Sequence, residues 1–506
     1  MTKRRISIMD TTLRDGEQAP GASLKPEQKI ALASRLIDMG VDVLEPGFPV
    51  SSPGEFAAVE AISRLSHDVE ICGFARAVRG DIDAAVRATR DAARRRIHLF
   101  ISSSDIHIEH QLRMRRKDVV QQAKEMVAYA RQFCDTVEFT AMDATRTNID
   151  DLIEMVEAAI GEGASIINLP DTVGYALPAE YGSMFLRVRE GARGGQNVRY
   201  SAHCHNDLGL AVANSLEAIR CGADQIEVTV NGIGERTGNC ALEELVMALE
   251  TRGEVMGAQT GIRPGQLYEV SMAVSRAMHF PVSYNKPVIG RNAFQHESGI
   301  HQDGLLKNRN TYEIMDPEAL GIPRSMIILG KHSGRHALKD RLQKYGVELA
   351  DGELDAFYER FKETADREKT VSDDRLLQLV DQTFHKNVQP YELAGIRAAA
   401  ESEKQFTASV LIKHQGEAEA KMYSAGAESQ VEAVIAAISH AVQGDMQIED
   451  VEIHTMGSGE QAYTEAFVTV CCMGKTYHGS ASHRDHLLAV GIACLSACNA
   501  AQLVVL

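Results

Sequence analysis

Through the first half of the chain, short β-branched runs alternate with stretches whose apolar residues recur at helical spacing. The strand-like runs are ISIMDTT (6–12), VDVLEPG (41–47), VEICGF (69–74), IHLFIS (97–102), VEFTAM (137–142), SIINLPD (165–171), VRYSAHCH (198–205) and DQIEVTV (224–230). Between them lie helix-like segments such as PEQKIALASRLIDMG, with Pro26 suited to a first helical turn and Gly40 to a C-terminal stop. Eight such units within about 250 residues is the size of a (β/α)8 TIM barrel. The alternative, a doubly wound open sheet, needs fewer units, and no GxGxxG follows the first strand. The pattern predicts a TIM barrel over residues 1–270.

The alternation then stops. Residues 271–385 carry Pro281, Pro287, Pro317 and Pro323 between short helical pieces, which predicts a mostly helical linker of small subdomains. Over 386–506 a β-rich pattern returns twice. FTASVLIKHQ and EAEAKMYS precede the helix-like VEAVIAAISHAV, and EDVEIHTM, AFVTVCCM and KTYHGSA precede DHLLAVGIACLSACNAA. This reads as a C-terminal α/β module with a duplicated βββα-type unit. It shows no catalytic cluster, which suits a regulatory or dimerising role.

Composition narrows the function. The 506 residues are 44% hydrophobic with mixed charge, as in an ordinary globular protein, and need more than one core. Apolar runs fall short of a membrane span, and MTKRRISIMD has no apolar segment of a secretory signal. Nine cysteines without a CxxC pair fit reduced thiols, so a cytoplasmic location is expected. A formal charge of −17 argues against a nucleic-acid partner, and an anionic substrate must meet a locally basic site. Arg94-Arg95-Arg96 and Arg113 to Lys117 are basic clusters of that kind, or else solvated helix faces.

In a TIM barrel the active site lies at the C-terminal strand ends. Those ends carry Arg14 and Asp15, Glu45, Asp143 and Arg146, Asp171 and Thr172, His203 to Asp207, and Asn231 to Asn239, with Glu138 within strand five. In His203-Cys204-His205 the two imidazoles, at i and i+2, point to one side and Cys204 to the other. Two neutral imidazoles with a carboxylate form a common divalent metal site. Asp15 can supply the carboxylate and the Asn239 amide oxygen a fourth ligand. Nitrogen and oxygen ligands without thiolate point to Mg2+, Mn2+ or Zn2+. NGIGERTGNCALEE (231–244) reads either as an anion pocket at a helix N-terminus or as a tight strand-to-helix turn. His301 and Tyr312, outside the barrel, read on their own as structural or surface residues.

DTTLRDGEQAPG (10–21), EPGFPVSSPGEF (45–56), NLPDTVGY (168–175), HCHNDLGLAVANS (203–215), NGIGERTGN (231–239) and SGIHQDGLLKN (298–308) together resemble the 2-isopropylmalate synthase family. The resemblance spans roughly the first 380 residues. GFPVSSPGEF and SGIHQDG favour this branch over homocitrate synthases and hydroxymethylglutaryl-CoA lyases, and residues 386–506 are similar in position to the family's leucine-sensing domain. The resemblance implies an acyltransferase that condenses acetyl-CoA with a 2-oxo acid, 2-oxoisovalerate, to give 2-isopropylmalate and CoA at the first committed step of leucine biosynthesis. It implies a divalent metal on Asp15, His203, His205 and Asn239, and substrate contacts from Arg14, Thr172 and His203. It implies a catalytic role for Arg14, and for Glu138 a part in deprotonating the acetyl group or in ordering the site. It further implies that His301 and Tyr312 reach in from the linker, from the second subunit of a homodimer, and that leucine is an effector.

Three positions depart from the family's pattern. Met142-Asp143-Ala144 stands where Glu-Asp-Ala is expected, Pro46 follows Glu45 in place of a small or branched residue, and Leu99 stands where a Thr is common. If these side chains face inward, the pocket is larger or more apolar, which suits a longer or aromatic 2-oxo acid as in a benzylmalate synthase. Homocitrate and citramalate synthases, a lyase on the same barrel and a non-catalytic amino-acid sensor are the remaining readings.

Overall fold

The computed structural model describes residues 3–322, 326–327, 329–344, 347, 349–367, 371, 373–384, 390–402, 405–442, 446–456, 463–472 and 475–505. They divide into two compact units, one of residues 1–295 and 313–326, the other of 296–312 and 327–506.

The first unit is built on a closed barrel of eight parallel strands, joined in chain order. They are β1 (Ser7–Asp10), β2 (Val43–Leu44), β3 (Glu70–Arg76), β4 (Arg95–Ser102), β5 (Val137–Met142), β6 (Ile166–Asp171), β7 (Arg199–Cys204) and β8 (Gln225–Val228). Helices α1 (Pro26–Met39), α2 (Pro53–Ile62), α3 (Arg79–Ala88), α4 (Arg116–Ala130), α5 (Ile149–Gly161), α6 (Pro178–Gly191), α7 (Ala211–Arg220) and α8 (Leu242–Met256) follow the strands in turn. Pro26 opens α1, and Gly40 closes it at φ 99°, as the sequence pattern predicts. α9 (Leu267–Met278) crosses the boundary drawn at 270 into the stretch read as linker, yet Val274 and Met278 beyond it are buried with Leu267 and Val270 in the barrel unit's own core.

Alternation along the strands divides each one between two environments. On β4, Ile97, Leu99 and Ile101 join the apolar core shared with the helices. Arg96 and His98 point into the barrel, where Arg96 pairs with Glu70 and Glu138, and His98 with Glu45. The barrel is thus filled by a paired polar layer. Two sequence expectations change. Arg96 is a fully buried barrel residue rather than part of a solvated helix face, and Leu99 faces the helices, so it leaves the pocket unchanged.

The second unit begins with α10 (Gly299–Lys307), α11 (Arg335–Lys344), α12 (Asp351–Arg367) and α13 (Asp373–Phe384), whose core includes Leu338, Phe357, Phe361 and Leu376. Two antiparallel three-stranded sheets follow. β9 (Tyr391–Ser402), β10 (Gln405–His414) and β11 (Lys421–Ala427) lead into α14 (Gln430–Ala441). β12 (Met446–Met456), β13 (Tyr463–Cys472) and β14 (Lys475–His483) lead into α15 (His486–Val505). Both copies contribute to one apolar core, through Val410, Ile412 and Val434 from the first and Val468, Val470 and Val490 from the second. The duplicated βββα pattern is present, and β9 is the strand that the sequence pattern did not separate. No described helix is long and apolar enough to cross a membrane.

Candidate active site

Asp15, His203, His205 and Asn239 meet at the C-terminal mouth of the barrel. The chain after β1 turns sharply, with the Asp15 amide donating to the Thr11 carbonyl at 2.9 Å, and this brings Asp15 over the mouth. At the end of β7 the two imidazoles project together, their ring centroids 4.8 Å apart at 75°. Asp15 Oδ2 lies 3.7 Å from His203 Nε2 and 3.9 Å from His205 Nε2, beyond hydrogen-bond range. Asn239 is bridged to His205 through the backbone, and its Nδ2 donates to Asp15 Oδ1 at 3.1 Å.

The donor chemistry fits a divalent cation. Burial removes water from both imidazoles and lowers their pKa to about 4, so each is neutral at pH 7. Burial also pushes the Asp15 carboxyl up, but Arg14, the two histidines and the Asn239 amide outweigh it and hold the carboxylate well below its usual range. The buried Asn239 Oδ1 and His205 Nδ1 have no hydrogen-bond partner among the described residues. His203 Nδ1 faces Glu227 Oε2 at 2.9 Å, which orients Nε2 into the mouth, as outer carboxylates commonly do for metal-binding histidines. A Cβ added to Gly234 would stand 2.1 Å from Asn239 Nδ2, so the loop needs glycine to let that amide approach. Cys204 is buried on the opposite side of β7 from the imidazoles.

Arg14 borders this group. Its Nη1 donates to Asp15 at 2.8 Å, its Nε donates to Glu45 at 2.5 Å, and its guanidinium lies 4.2 Å from the centroid of the Phe74 ring. Burial works against its charge, but Glu45 and Asp15 keep it protonated. Arg14 Nη2 carries no hydrogen bond among the described residues. Thr172 Oγ1 accepts the Asp143 amide at 2.9 Å, leaving its hydroxyl hydrogen to donate. The Thr172 carbonyl accepts from Arg236, which is itself paired with Asp207.

Glu138 sits deeper. It is fully buried on β5, with one carboxylate oxygen accepting from Arg96 at 2.7 Å and the other from Gln225 at 3.0 Å. His301 and Tyr312 belong to the second unit, where their rings stack at 4.1 Å between centroids. The glycine-rich 231–244 segment forms a tight turn. Glu243 and Glu244 occupy the first turn of α8, and Glu243 accepts the Asn231 amide at 3.0 Å, so acids already occupy that helix N-terminus.

Several neighbours of the metal-ligand group carry little signal in the sequence: strand-end position marks Glu45, but nothing in the pattern gives a role to Glu227, His98, Thr140 or Asn168. All lie inside apolar strand runs, so the readable signal was a polar residue at alternate positions of a buried strand. Among the three departures, Met142 follows inward-facing Glu138 and Thr140 at the same parity and pairs with Ser102 on β4, one inward position beyond the Phe100–Thr140 pair. Phe100 stacks on Phe74 at 4.7 Å, and Phe48 meets Phe74 edge-on at 5.4 Å. This makes an apolar wall beside Arg14. Pro46 is buried one residue beyond Glu45.

Comparisons with known proteins agree across the whole chain. Residues 5–274 match the HMGL-like family, 288–369 the homocitrate synthase post-HMGL domain-like family, and 370–502 the LeuA allosteric (dimerisation) domain. The 2-isopropylmalate synthase of Afipia carboxidovorans is 46% identical over 497 residues, covering 98% of this chain and 95% of that one. The enzyme of the same name from Methylorubrum populi is also 46% identical with the same coverage, and that of Bacillus velezensis is 44% identical over 498 residues, 98% of this chain and 96% of that one. The chain belongs to the 2-isopropylmalate synthase family.

Proposed function

We propose that the protein condenses acetyl-CoA with 2-oxoisovalerate and hydrolyses the resulting thioester, releasing 2-isopropylmalate and CoA for leucine biosynthesis. The observation that carries this reading is the convergence of Asp15, His203 and His205 beside Arg14, in a chain 46% identical to a 2-isopropylmalate synthase. On this reading residues 1–270 are the catalytic part, 271–385 the linker and 386–506 the regulatory part.

Asp15, His203, His205 and the Asn239 oxygen would hold Mg2+, Mn2+ or Zn2+, which polarises a ketone and anchors the neighbouring carboxylate of a 2-oxo acid. Thr172 donates its free hydroxyl hydrogen to that carboxylate. Arg14, fixed at two of its nitrogens, offers Nη2 to the ketone oxygen as it gains charge, and a preorganised donor of this kind serves the transition state more than the ground state. Glu138 orders the barrel interior through Arg96 and Gln225, which leaves His301 and Tyr312, as a pair from the second subunit of a homodimer, to assist enolisation or hydrolysis. The apolar side chain of the oxo acid lies along Phe74 and Phe100, with Met142 one inward position further along β5.

That wall also supports a second reading, a larger or aromatic 2-oxo acid, since Met142 adds apolar surface where the family carries Glu. Thiol release from acetyl-CoA, measured with 2-oxoisovalerate, pyruvate, 2-oxoglutarate and phenylpyruvate, separates the two. The highest kcat/KM is expected with 2-oxoisovalerate, and no release with any of the four would sink the synthase reading. Asp15→Asn and His203→Ala are expected to lower turnover by at least about 100-fold at limiting metal.

A further inference from the structure

Between Arg14 and His203 runs an unbroken belt of buried hydrogen bonds across the barrel interior. From the Arg14 side, Glu45 takes the guanidinium on Oε2 and meets His98 Nδ1 through Oε1 at 2.8 Å. His98 Nε2 lies 2.6 Å from Thr140 Oγ1. Asn168 Nδ2 donates both its hydrogens, to Thr140 Oγ1 at 2.9 Å and to Glu227 Oε1 at 2.7 Å. Glu227 Oε2 closes the belt on His203 Nδ1.

We propose that His98 is a positioning residue with two arms, one fixing the Arg14 guanidinium through Glu45, the other fixing the His203 imidazole through Thr140, Asn168 and Glu227. The inference rests on the functional reading above, and it gives a role to a buried histidine that touches neither the metal ligands nor Arg14. Two features support it. His98 is 1% exposed, and an unmade hydrogen bond at any link would strand a buried polar group, so the belt strongly favours one arrangement. The direction of the bonds is also consistent. Asn168 gives both hydrogens away, His203 Nδ1 can give one to Glu227 and His98 Nδ1 one to Glu45, while the Thr140 hydroxyl, which accepts from Asn168, can either give its hydrogen to His98 Nε2 or accept one from it. Burial opposes a charge on His98, but Glu138, Glu45 and Glu227 raise its pKa above the ordinary imidazole value.

The two arms can be cut separately. His98→Gln leaves an amide near the Nε2 position and removes the Glu45 arm; His98→Asn leaves one near Nδ1 and removes the Thr140 arm. Thr140→Val cuts the same arm as His98→Asn at nearly constant volume. Each full-length variant is titrated with Mn2+, following the EPR signal of the free ion, and assayed for thiol release with 2-oxoisovalerate at saturating Mn2+. His98→Gln is expected to lower kcat about tenfold with Mn2+ affinity within about threefold of wild type. His98→Asn and Thr140→Val are expected to weaken Mn2+ binding about tenfold while kcat at saturating metal stays within about threefold. If the two His98 variants change both quantities by similar factors, or change neither, the two-armed role is overturned. The Mn2+ titration needs no substrate, so a wild-type protein inactive with 2-oxoisovalerate would count against the functional reading while the arm to His203 is still decided.

Discussion

Removing water from an imidazole costs its charged form more than its neutral one, and at His203 and His205 this cost outweighs the pull of Asp15. Both rings therefore stay neutral, the form that binds a metal, until the pH nears about 4. Asp15 is ionised over the same range. Two ordinary histidines titrating near pH 6.5 would lose about 100-fold in metal affinity between pH 7.5 and 5.5. Here the Mn2+ dissociation constant is expected to change by less than about threefold over that interval. A loss near 100-fold in the Mn2+ titration would show that the rings are solvated. The metal-binding chemistry of Asp15, His203, His205 and Asn239 was legible in the sequence because strand parity and strand-end position limit where such side chains can point. His98, Asn168 and Glu227 were not, because a lone polar residue in an apolar run gives no sign of its partner on another strand.

At the scale of elements, all eight barrel strands were legible because each is a compact apolar run between helical repeats. β9 was not. Its sequence, YELAGIRAAAES, is rich in alanine and weak in β-branched residues, and pairing with β10 rather than intrinsic preference makes it a strand. α9 escaped for a different reason: proline-rich flanks suggested a linker, while its apolar face packs on the barrel. The loop from 231 to 239 shows how an element, rather than a ligand, can set the site. With Ala at Gly234 the new Cβ would displace the Asn239 amide and crowd Asp15 Oδ1 at 3.3 Å. Gly257 follows α8 at φ +61° with nothing within 4 Å of an added Cβ, so Ala there strains only the backbone. Gly234→Ala is expected to weaken Mn2+ binding by about tenfold or more. Gly257→Ala should cost about 1 kcal/mol of stability and leave Mn2+ binding unchanged. Equal Mn2+ affinities for the two variants would show that the loop does not position Asn239.

For the molecule as a whole, the question is how a C-terminal module whose sequence shows no catalytic cluster would govern chemistry in a barrel. The two βββα copies share one core, so a ligand that alters how the copies pack acts on the entire module. Residues 370–502 match the LeuA allosteric (dimerisation) domain, and leucine is the effector we propose. An effector can shift an equilibrium only through a difference in affinity between two states, and for binding that coupling is reciprocal. Millimolar leucine is therefore expected to slow thiol release. If it does so by weakening 2-oxoisovalerate binding by some factor, 2-oxoisovalerate must weaken leucine binding by the same factor, which calorimetric titration of leucine with and without the oxo acid measures. Inhibition of kcat alone would leave the leucine affinity unchanged by the oxo acid, and would place the effect on a step after binding. Thiol release indifferent to leucine would leave the module with assembly as its role, and the mass of the protein in solution, expected to be twice that of the chain, tests that role independently.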